Sequence, residues 1–148
     1  MAFRFPLQAV LRYRESYERR ERLRLQLVTH ELLNARQRQE EANRERSRCL
    51  QELAKKLHQG LIAGELQYEL ACDRARVKQI AAWKEQTAKL EELRRRQLEA
   101  FHKAQQQRKI LENLRDRQLA AYRLIQDRRT QQELDERFLL LHGGQRDE

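Results

Sequence analysis

Histidine, cysteine and arginine are the residues of this sequence with chemistry to offer, and their spacing decides which. THELLN sets His30 and Glu31 in the order of a zinc-protease helix, HExxH, but Asn34 stands where the second imidazole is needed. Two zinc ligands therefore cannot share this helical turn. His58, His102 and His142 lie far apart, with no Cys or carboxylate at a spacing that a helix would bring together. Neither a metal site nor a general acid/base pair is legible, and no cofactor is expected. Cys49 and Cys72 are too few for a disulfide framework or a zinc site, so both are expected as reduced, half-buried seam residues. No glycine-rich loop follows a strand and there is no Walker-type G-x-x-x-x-G-K motif, which removes nucleotide binding from the expectations.

Arginine clusters in RRERLR around Arg19, in RQRQ around Arg36, and at Arg94 to Arg96 have the charge to contact phosphates. Without aromatic side chains interleaved on the same face they offer no platform for base stacking. Solvated helix faces are the expectation, and a basic nucleic-acid-binding coiled coil is the alternative. The formal net charge is +9, with 14 basic and 8 acidic residues in 1–59 and 18 and 15 in 60–148. The excess is spread along the chain and leans towards its first half. Charge of this kind suits nucleic acid, acidic lipid or an acidic protein partner, and does not choose among them.

The elements that carry these residues follow from composition. Of 148 residues, 37% are charged and one is proline, so apolar side chains are too dilute for an ordinary globular core. The abundant types are Leu, Ala, Glu, Gln, Lys and Arg, which form helix well, rather than the Pro, Gly and Ser of disordered chains. Long exposed helices or a coiled coil are expected. No run of 18 apolar residues and no secretory signal is legible, which points to a cytosolic protein that reaches a membrane only through partners.

Pro6 suits the first turn of a helix, and neither Pro nor Gly recurs before Gly60. A first helix is predicted over about 6–59, roughly 80 Å long. HQGLIAGELQ, with Gly60 and Gly64, predicts the turn over about 60–64. A second helix follows over about 65–141, roughly 115 Å long, with a polar tail over 142–148. The fold class is all-α: one long antiparallel two-helix coiled-coil hairpin forming a single rod, with an overhanging second helix.

Steps of 4 and 3 from Leu7 reach Leu11, Arg14, Glu18, Glu21, Leu25, Val28, Leu32, Ala35, Gln39, Ala42, Arg46, Cys49 and Leu53. Polar residues interrupt this seam too often for a tight zipper but can lay their methylenes along it. In the second helix Leu66, Leu70, Val77, Ile80 and Trp83 make one stripe, while Leu90, Leu93, Leu98, Phe101, Leu111, Leu114, Leu119 and Tyr122 drift, so its seam is expected to wander. Folding near residue 62 pairs positions summing to about 124, setting Trp83 against Ala42, Leu32 near Leu93 and Leu11 near Leu114. Beyond about residue 118 no first helix remains to lie on, yet Leu119, Tyr122, Leu124, Ile125, Phe138 and Leu139 to Leu141 follow. Apolar residues without cover imply a partner.

The opening FRFPLQAVLRYRE, with its pattern FxFPLQxVLxxR, and the C-terminal RRTQQELDERF, with ELDE at Glu133 to Glu136, resemble the FliJ family of flagellar type III export proteins. The basic first helix, the Gly-marked turn and the longer second helix resemble that family in organisation. The resemblance implies a non-enzymatic component of flagellar biogenesis, protein transport and chemotaxis, similar to the central stalk of rotary ATPases. It implies three partners: the flagellar export ATPase, the membrane protein of the export gate, and export chaperones, at the cytoplasmic face of the inner membrane. A stalk protein of a related virulence type III secretion system would share this fold.

On that resemblance Phe3, Phe5, Leu7, Val10, Leu11, Leu124, Ile125 and Phe138 are expected to meet the ATPase ring. Apolar density marks Leu53, Leu57, Leu66, Leu70, Val77 and Ile80, near the turn, for the export gate. No catalytic, cofactor-binding or metal residue and no small-molecule substrate is expected, since two helices enclose no pocket.

Overall fold

The structure, a computed structural model, describes residues 2–144; positions 145–148 of the expected polar tail lie outside the described residues. Two helices make an all-α hairpin, α1 over Gln8–Gln59 and α2 over Ala63–Gly143. Residues 2–5 form no regular element, and the chain enters α1 through a turn at Pro6 and Leu7, where the Gln8 amide donates to the Phe5 carbonyl (3.2 Å). Proline fits here because its fixed φ suits a helical first turn and its missing N–H would have had no acceptor.

The connection is shorter than the glycine spacing suggests. Gly60 has φ of 91°, the left-handed conformation that ends a helix and that only glycine adopts without strain. Gly64 lies inside the first turn of α2, where the Leu66 amide donates to the Ile62 carbonyl (3.1 Å).

The hairpin comprises two compact units. In the unit Arg19–His102, α1 and α2 are tied by Arg46 to Asp73 (2.9 Å), Lys56 to Glu69 (3.4 Å) and Arg36 to Glu91 (3.0 Å). The Arg38 guanidinium lies over the Trp83 ring (5.3 Å) and that of Arg22 over Phe101 (5.7 Å). In the unit of Met1–Glu18 with Lys103–Glu148, Arg14 donates to Gln107 (2.6 Å), Arg108 pairs with Glu18, and the Phe3 and Tyr122 rings meet at 5.6 Å. All these pairs fall close to the expected sum of about 124, the register of an antiparallel pair closed by a turn at Gly60.

The first-helix seam is buried or half-buried at every counted position from Leu11 to Leu53, polar ones included; Leu7 alone is exposed. The second helix departs from expectation. Most of its covered positions recur in steps of 3 and 4 with one phase, interrupted at exposed Arg94, through Leu66, Glu69, Asp73, Arg76, Ile80, Trp83, Thr87, Leu90, Gln97 and Phe101 in one unit. In the other they continue through Ala104, Arg108, Leu111, Arg115, Gln118 and Tyr122. The seam does not wander: Leu70 and Val77, expected in its stripe, and Leu93 and Leu114, expected to drift, all lie outside it, exposed.

The uncovered end of α2 also begins later than expected. Phe3 lies on Tyr122, and Leu119 and Tyr122 are half-buried; residues 127–144 are all exposed. Phe3 and Tyr122 sum to 125, so the residues before α1 keep the register of the pair and carry its cover past 118.

Candidate functional site

The seam is held by charges. Glu18 and Glu21 are buried, at 4% and 2% exposure. Glu18 accepts from Arg108, which also pairs with Glu112 (2.6 Å), and Glu21 accepts from Gln97 and from Arg24 (3.1 Å). Every buried side-chain polar atom among the described residues has a partner. The hydrogen bond to Glu112, then that to Glu18, raises the Arg108 pKa, so this guanidinium stays charged in the seam. The hydrogen bond from Arg46 holds the Asp73 carboxyl below its usual range.

The exposed arginines spend much of their charge locally. Arg95 and Arg96 both donate to Glu92, at 2.7 and 3.2 Å, and Arg95 also pairs with Glu99 (2.8 Å). These contacts, Arg95 foremost, lower the Glu92 pKa to about 2. The Arg94–Arg96 cluster is thus partly neutralised before any phosphate arrives.

No group of His, Cys, Asp or Glu among the described residues could hold a metal, and His30 and Glu31 are both exposed on α1. Cys49 and Cys72 are free and half-buried. The side-chain hydrogen bond with Cys72 raises the Tyr68 pKa. No helix among the described residues is long and apolar enough to cross a membrane.

The residues expected to meet the ATPase all fall in the unit of Met1–Glu18 with Lys103–Glu148, but they divide in two. Leu11 is fully buried, Phe5 nearly so, and Phe3 packs on Tyr122; these three build the hairpin's own core. Leu7, Val10, Leu124, Ile125 and Phe138 remain exposed, the last stacked on His142 at 4.1 Å. The expected gate residues divide likewise: Leu53, Leu66 and Ile80 occupy the seam, while Leu57, Leu70 and Val77 are exposed.

What sequence reasoning missed is the polar seam, in which Glu18, Glu21 and Arg46 counted as interruptions. Their signal lay in the opposite helix, where Arg108, Gln97 and Asp73 stand near the paired positions.

No curated protein matches the chain, and no solved structure does. The family model described as the flagellar FliJ protein matches residues 3–147. Nearly the whole hairpin is therefore accounted for, and the chain belongs to the FliJ family, as a component of flagellar type III protein export.

Proposed function

We propose that this protein acts without chemistry of its own, as a stalk-like coiled coil that promotes assembly and activity of the flagellar export ATPase ring. It links that ring to the membrane protein of the export gate and to export chaperones, working at the cytoplasmic face of the inner membrane. The observation that carries the ATPase contact is the exposure of Leu7, Val10, Leu124, Ile125 and Phe138 within one unit. Apolar side chains left in water at one end of a charged helix pair gain free energy when a partner removes them from it. Exposed Leu57, Leu70 and Val77 support the gate contact in the same way.

The test is a pair of surface variants that spare the core. Leu7→Ala with Val10→Ala should weaken binding to the export ATPase and leave gate binding intact. Leu57→Ala with Leu70→Ala and Val77→Ala should do the reverse. Wild-type affinity of both variants for both partners would defeat the assignment.

A further inference from the structure

We propose that the uncovered end of α2, Leu124 to Leu141, pairs antiparallel with the same segment of a second copy of this chain. Leu124, Leu134, Phe138 and Leu141 are all more than half exposed, at 53%, 54%, 59% and 75%. They fall on one series of steps of 3 and 4 (124, 127, 131, 134, 138, 141), the pattern of a face that packs on another helix. This series runs two residues ahead of the seam that ends at Tyr122, which is about 200° around the helix. The stripe thus points away from the side where Phe3 lies on Tyr122. A helix laid on it meets no obstacle from the chain's own N-terminal segment.

Charge identifies the occupant. The chain as a whole carries +9, and two copies repel along most of their length. Residues 123–143 are the exception: Arg123, Arg128, Arg129 and Arg137 balance Asp127, Glu133, Asp135 and Glu136, a net charge of zero. The signs are also ordered, basic at Arg123 to Arg129 and acidic at Glu133 to Glu136. Among the described residues Arg128, Arg129, Glu133 and Glu136 have no ion-pair partner within 4.0 Å. An antiparallel copy sets Arg128 beside Asp135, the two charges that flank the stripe, and brings Leu124 against Phe138. A two-fold axis near Gln131 makes each contact twice. A parallel copy would set like against like, and a uniformly acidic helix would gain from only half the segment.

Leu124 and Phe138 also belong to the ATPase contact proposed above, so a paired chain withholds them from the ring. That consequence rests on the ring reading; the pairing itself is measured on the chain alone.

The experiment is sedimentation of the full chain over a wide concentration range, with circular dichroism confirming that each variant keeps its helix. Wild-type chain is expected to move from monomer to dimer, and Leu134→Ser with Phe138→Ser to remain monomeric. Reversing one flanking charge, Arg128→Glu, or the other, Asp135→Arg, should weaken the dimer about tenfold. Combining both reversals should restore it, because the signs are then exchanged in both copies. A chain monomeric at every concentration overturns the proposal. So does a double variant that pairs no better than either single reversal.

Discussion

Replacing Glu18 by Leu puts an apolar side chain at a buried seam position, where periodicity alone would ask for one, yet it should destabilise the hairpin. Glu18 is 4% exposed and the Arg108 side chain that it accepts from is 21% exposed. Removing one partner of a buried pair costs about 3–5 kcal/mol, because the other charge stays desolvated and unpaired. Arg108 keeps Glu112 at 2.6 Å and part of its hydration, which brings the expected loss below that range, to about 2–3 kcal/mol. Adding Arg108→Leu removes the stranded charge, and the double variant should recover most of the loss or exceed wild type. Urea unfolding followed by circular dichroism at 222 nm gives all four corners of the cycle. If Glu18→Leu alone is as stable as wild type, the seam is not held by this pair and the reasoning fails.

Other consequences are as direct. Leu11→Ala, at 0% exposure, should cost about 2–4 kcal/mol, whereas Leu7→Ala, at 38%, should cost under about 1 kcal/mol; the same unfolding curves compare them. Gly60→Ala forces a Cβ into φ of 91° and should cost about 1–2 kcal/mol, while Gly64→Ala, inside α2 with nothing within 4 Å of the added Cβ, should gain up to about 1 kcal/mol. The Glu92 carboxyl titrates near 2 rather than at its ordinary 4.5, so its stabilising contribution is complete above pH 4.5 and is lost as the pH falls towards 2. Asp73, lowered by Arg46, adds to the loss in the same direction. Acid titration of Tm should show this slope, and Glu92→Gln should flatten it.

The hairpin was legible because its punctuation is sparse: Pro6 before one helix, Gly60 after it and Gly143 at the end of the other, with helix-forming residues between. The first seam was legible because Leu11, Leu25, Val28, Leu32, Ala35 and Leu53 hold its phase between the polar positions. In α2 the polar residues outnumber that signal. Arg76, Gln97, Arg108, Arg115 and Gln118 fill covered positions while Leu70, Val77, Leu93 and Leu114 stand exposed, so apolar periodicity followed the wrong side chains. Long polar side chains can occupy a seam when the facing helix supplies their partners, and one helix read alone does not reveal those partners. The candidate site was half legible for a related reason. Sequence marks Phe5, Leu11 and Leu53 as apolar, but whether an apolar residue serves the core or a partner depends on what the fold lays over it.

The most direct measurement mixes the purified chain with the flagellar export ATPase and follows oligomer size and ATP turnover at low and high salt, with RNA as the rival ligand. Contact through exposed apolar side chains predicts that ring formation and turnover rise with added chain and persist at high salt. An ATPase indifferent to the chain, with RNA bound along a steep salt slope, would contradict the account and leave a basic coiled coil that binds phosphate backbones.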